Sequence, residues 1–96
     1  MKMAMVVYNE AMNDEVMELL VRCGFANYTK IERVFGKGTT SGTHLGNDIW
    51  PGINNVLYVA LDDTKVGPLI EGIRGLRSRL GHEGIKAFVF PLEEIT

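Results

Sequence analysis

The residues best suited to chemistry in this chain form two groups. The first is Gly36-Lys-Gly-Thr-Thr-Ser-Gly-Thr43. It has little to pack. Its backbone N–H groups, its hydroxyls and the Lys37 ammonium are the donors that surround an anion. Gly36, Lys37, Gly38, Thr39 and Thr40 are its candidate contacts. It is not a Walker loop, because the Gly-Lys-Ser/Thr ending is missing at the required spacing. The second group is Arg79, His82 and Lys86, which could bring positive charge to one cleft. A solvated helix face also accounts for Arg74, Arg77 and Arg79, since basic residues suit a helix C-terminus.

Other chemistry is poorly served. His44 and His82 are the only histidines, and neither belongs to a His-x-x-x-His pattern. His44, Asp48 and Cys23 lack metal-ligand spacing. No nucleophile–base pair can be named, so an enzyme is not expected. Cys23 is the single cysteine. It excludes an internal disulfide and fits a reducing cytoplasm. Ten Lys+Arg against twelve Asp+Glu give a net charge of -2. That balance has no chain-wide basic footprint, so nucleic acid is not the expected partner. The longest apolar run near the start, Met3 to Tyr8, is too short for a signal sequence or a membrane span.

The elements that must position these residues follow from hydropathy. With 46% hydrophobic and 23% charged residues in 96, the chain is expected to make one domain over 1–96. Met3–Tyr8 is apolar on both alternating faces, as in a strand covered on both sides. Asn13 is a good N-cap type, and Val16, Leu19, Leu20 and Cys23 then mark one helix face. Gly24 fits the position just past the helix end. A more polar strand runs from about Tyr28 to Phe35, as expected of an edge or an interface. Val56–Leu61 is again apolar on both faces.

Pro68 belongs in a first helical turn, so the second helix is expected to start near Lys65–Gly67. Gly72 and Gly75 each cost about 1 kcal/mol against Ala in a helix, which points to close packing. Gly81 and Gly84 follow the helix, and Ala87–Phe90 is the last strand. Between the second and third strands, Gly36–Asn54 has no clear period. Most hairpin loops have about two to five residues. A longer one is functional or mobile, or else the strands extend into it and Trp50 and Ile53 pack on a neighbour. Gly36–Gly46 is the part expected to move.

The order β-α-β-β-α-β, with short right-handed connections, predicts a ferredoxin-like α+β fold. Two helices cover one face of a four-stranded antiparallel sheet. The second apolar face then needs cover, and self-association supplies it with least demand.

Three local segments make the chain similar to the nitrogen regulatory PII signal-transduction superfamily, over almost its whole length. Tyr28-Thr-Lys-Ile-Glu32 resembles the family's Met-Thr-x-x-Glu segment, whose threonine lies near bound nucleotide. Phe35-Gly-Lys-Gly38 resembles the Gly-Phe-Gly start of its T-loop. Gly84-Ile-Lys-Ala-Phe-Val89 resembles the end of its phosphate-binding B-loop, Gly-Asp-Gly-Lys-Ile-Phe-Val. The resemblance implies a cytoplasmic homotrimer that binds ATP, ADP or AMP between subunits. Its loop would dock on a target, a membrane transporter or an enzyme. By the same match Thr29, Gly84 and Lys86 become ligand residues, with Thr29 coming from the neighbouring subunit. The chain departs from the pattern in three places. Only Gly84, with Gly81 three residues earlier, stands for the two B-loop glycines, and the loop lacks the modified Glu-Leu-Tyr-Arg tyrosine. The Arg-x-Arg pair that grips phosphate in the standard family has no counterpart among these residues. The alternative is a metal-responsive trimer resembling the CutA proteins, with His44, Asp48 and Glu83 as candidate ligands.

Overall fold

A computed structural model describes residues 1–36, 52–80 and 84–96. The elements are β1 (Lys2–Asn9), a 3-10 turn (Glu10–Met12), α1 (Asn13–Arg22), β2 (Thr29–Phe35), β3 (Ile53–Leu61), α2 (Asp63–Leu80) and β4 (Ile85–Pro91). The four strands form one antiparallel sheet in the order β2-β3-β1-β4. Both helices lie on one face, so the fold is ferredoxin-like as predicted. Among the described residues, no helix is long and apolar enough to cross a membrane.

Alternation in the strands separates the two faces. Ala4, Val6 and Tyr8 of β1 and Leu57, Val59 and Leu61 of β3 are buried under the helices. Val16, Leu19 and Leu20 of α1 and Leu69, Ile73 and Leu76 of α2 close the core from above. The helices pack tightly at Gly72, where a Cβ would collide with the Leu19 side chain. Gly75, by contrast, has nothing within 4 Å of such an atom. The sequence expectation of close packing therefore holds for one glycine and not the other, because only Gly72 faces α1.

Several boundaries move for local reasons. Asn13 is the first residue of α1, not its cap. Asn9 caps the preceding 3-10 turn, accepting from Ala11 N–H at 2.9 Å. Helix α2 starts at Asp63, earlier than Pro68 suggested, and carries Pro68 inside it. The Lys65 N–H bonds the Asp62 carbonyl at 2.9 Å and closes the first turn upstream of the proline. Strand β3 begins at Ile53, so the ladder reaches further than expected, and Gly36 N–H donates to Gly52 O at 3.3 Å. The expected motion of Gly36–Gly46 and the packing of Trp50 concern residues that, Gly36 apart, lie outside the described ones.

Gly24 does sit just past α1, at φ 80°. Phe25 N–H reaches back to Leu20 O at 2.9 Å and Gly24 N–H to Val21 O at 3.0 Å. These two bonds satisfy carbonyls that the helix end leaves without partners.

Candidate functional site

One end of the sheet gathers most of the elements on which the sequence placed its anion site. Gly36 follows the end of β2 and lies beside Gly52. Two strands away, Asn9 N–H donates to Gly84 O at 2.7 Å. Arg79 lies exposed in the last turn of α2, just before the 81–83 connection. Gly84 is held tightly, since a Cβ there would stand 2.5 Å from Met12 Sδ. Lys37, Gly38, Thr39, Thr40 and His82 lie outside the described residues.

Thr29 and Lys86 are separated by the topology. Thr29 starts β2, one edge of the sheet, and pairs with Tyr58; Lys86 lies on β4, the other edge, and pairs with Val7. Three strand spacings, roughly 14 Å, divide the two edges. The registers nevertheless put both residues on the open sheet face. There the rows run Thr29–Tyr58–Met5–Phe88 and Ile31–Val56–Val7–Lys86. Phe88 and Phe90 are 44% and 43% exposed on this face and Ile31 46%. It is an apolar surface with a lysine at one margin and a threonine at the other.

On the helix side, beneath the loop root, lies a polar cluster that the sequence reading missed. Tyr8 OH donates to Asn13 Oδ1 at 2.7 Å, and Asn55 Nδ2 reaches the same oxygen at 3.5 Å. Asn55 Oδ1 accepts from Arg33 N–H at 3.2 Å. Glu10, Asn13, Glu32, Arg33 and Asn55 line a cavity of about 300 Å³ there. One signal was available: Asn55 shares the buried phase of β3 with Leu57 and Val59, where a polar residue needs a partner.

Burial pushes the Tyr8 hydroxyl above its ordinary value of 10.0, against a smaller lowering by the nearby Asn55 side chain. A raised folded value means that the unfolded chain ionises first. The stability tied to neutral Tyr8 is therefore complete below pH 10.0 and is lost as pH rises from there through the folded value. Denaturant titrations at rising pH should show wild type losing more stability above pH 10 than Tyr8→Phe. Parallel losses would assign no such linkage to Tyr8.

Among the described residues no group of three or more His, Cys, Asp or Glu is placed to hold a metal ion. The metal candidates His44, Asp48 and Glu83 lie outside them.

The sheet order and the helix layer define a ferredoxin-like α+β protein with one apolar sheet face left open. A family model for nitrogen regulatory protein P-II matches residues 1–96, and the chain belongs to that family. Its members are regulatory proteins, typically trimers that bind nucleotide effectors. No curated protein matches this chain. Among solved structures, the apo form of CPII from Thiomonas intermedia K12, a nitrogen regulatory PII-like protein, is similar. It has TM-score 0.71 and 20% identity, over 93% of this chain and 85% of that one. The same protein bound to ADP, AMP and bicarbonate gives TM-score 0.71 at 24% identity, over 93% and 82%. A PII-like signaling protein from Thermus thermophilus gives TM-score 0.66 at 17% identity, again over 93% and 82%.

Proposed function

We propose that this chain senses an anionic effector, foremost an adenine nucleotide, in clefts between the subunits of a homotrimer. It would signal to a partner protein through the 36–54 segment. The observation that carries the reading is the placement of Thr29 and Lys86. They stand on opposite edges of one sheet, yet both on its open face. A compact cleft can contain both only where β2 of one subunit meets β4 of the next. Copies packed through the apolar face would create that junction and cover the exposed phenylalanines. The Gly84 turn and the Gly36 root would approach the anion with backbone N–H groups, and Lys86, Arg79 and His82 would neutralise its charge. CPII, solved with ADP, AMP and bicarbonate, adds bicarbonate to the ligands worth testing. The effector moves the 36–54 segment only as far as it prefers one of that segment's states.

Calorimetric titration with ATP, ADP, AMP and bicarbonate tests the reading. A charge-assisted hydrogen bond contributes about 1.5–3 kcal/mol, so Lys86→Ala should weaken a phosphate-bearing ligand about tenfold or more. Lys86 is exposed on β4, and the variant should melt as wild type does. Equal binding by both proteins would place the site elsewhere. No binding by wild type at millimolar nucleotide would end the nucleotide reading. A melting midpoint raised only by divalent metal ions would favour the CutA-like alternative.

A further inference from the structure

The antiparallel ladder between β2 and β3 slips by one residue. Ile31 pairs with Val56, but the next pair is Val34 with Asn54, so Glu32 and Arg33 together face Asn55. This is a β-bulge, and such an extra residue bends its strand and loses its place in the ladder. Arg33 takes φ 60°, and among the described residues no other non-glycine has a positive φ. The left-handed conformation is unfavourable for a residue with a Cβ, so something must hold it.

The Arg33 N–H, taken out of the ladder, is accepted by Asn55 Oδ1 at 3.2 Å. Asn55 is 2% exposed, a polar side chain set among the core residues of β3. Its own amide is oriented by Asn13 Oδ1, which Tyr8 OH also contacts. The Arg33 guanidinium lies 3.6 Å from Glu10, a contact made at the surface.

The slip decides which side chains face which way where β2 leaves the sheet. Thr29 and Ile31 lie on the open face. Unbroken alternation would continue with Arg33 and Phe35 there. The bulge instead puts Val34 on the open face and turns Phe35 to the helix side, where it is 84% exposed.

We infer that Asn55 is a positioning residue: by holding the Arg33 N–H it maintains the Glu32–Arg33 bulge and so fixes the facing of Val34 and Phe35 at the root of the long connection. The strain at Arg33 and the hydrogen bond that offsets it are of the same order. Loss of the acceptor therefore tips the strand toward the unbulged pairing, with Arg33 opposite Asn54 and Val34 opposite Ile53. This inference does not depend on which ligand the protein binds.

Cross-strand NMR contacts in the full chain test it. Wild type should show Val34 opposite Asn54 and Phe35 opposite Ile53, and its Arg33 amide should exchange at least tenfold slower than in an unfolded chain. Asn55→Leu keeps the branched shape of the side chain and removes the acceptor. It should shift the pairs to Arg33–Asn54 and Val34–Ile53. In the double variant Arg33→Gly/Asn55→Leu the left-handed conformation carries no penalty, so the bulged pairs should return. A residue that merely filled space would give no such rescue. Asn55→Leu with the bulged pairs intact overturns the inference. So does a wild-type Arg33 amide exchanging at the unfolded rate, and that measurement stands even if Asn55→Leu fails to fold.

Discussion

Phe88→Glu should turn the proposed homotrimer into a folded monomer. Phe88 ends the row Thr29–Tyr58–Met5–Phe88 across the open sheet face and is 44% exposed in a single chain. A glutamate there meets solvent in the monomer, so the helix-side core is untouched. In the assembly each subunit would bury a carboxylate against apolar neighbours, at a cost of several kcal/mol per ion. At about 1.4 kcal/mol per tenfold in an equilibrium constant, this is enough to prevent assembly at micromolar concentration. Sedimentation velocity at matched concentrations reads the result directly. Circular dichroism of the variant should keep the wild-type helix and strand content. Nucleotide binding should vanish together with association, because the proposed site lies in a cleft that only the assembly forms. A Phe88→Glu protein that assembles as wild type does would mean that this face is not the interface.

Gly72→Val and Gly75→Ala should move stability in opposite directions. Both positions are glycines inside α2, and both replacements are better helix formers than glycine. Propensity alone predicts a gain twice. At Gly72, however, a Cβ runs into Leu19, with the Leu19 Cγ and Cδ2 both at 3.3 Å behind the first collision. Leu19 is 2% exposed and packed in the core, so its rotamer cannot change freely. Overpacking of this kind costs about 1–3 kcal/mol, and a domain of this size loses about 4–8 °C of Tm per kcal/mol. Gly75→Ala meets open space and should gain about 1 kcal/mol. Thermal melts at one protein concentration decide the matter, since association also shifts Tm. A Gly72→Val protein as stable as wild type would show that α1 and α2 do not depend on this approach.

Periodicity was enough to fix the element order and the faces. Strands apolar on both sides, two amphipathic helices and a glycine at the end of α1 leave few ways to arrange one small core, and the sheet order follows from short right-handed connections. The local segments around Thr29, Gly36 and Gly84–Lys86 were legible as well, because a family motif is a run of neighbours along the chain. Which of those segments lie together was not. Thr29 and Lys86 share the open face of the sheet because of the pairing register, which the fold class alone does not give. Gly72 and Gly75 look alike in sequence, and only the approach of α1 separates them. Asn55 was readable as a polar residue in an apolar phase, but its partners, Arg33 N–H and Asn13, lie 22 and 42 residues away. The bulge itself left no trace in the alternation of residue types, since Lys30, Glu32 and Arg33 are polar on either side of the slip. Local chemistry thus determined the elements and named the candidates, while contacts between distant parts of the chain decided which of them meet.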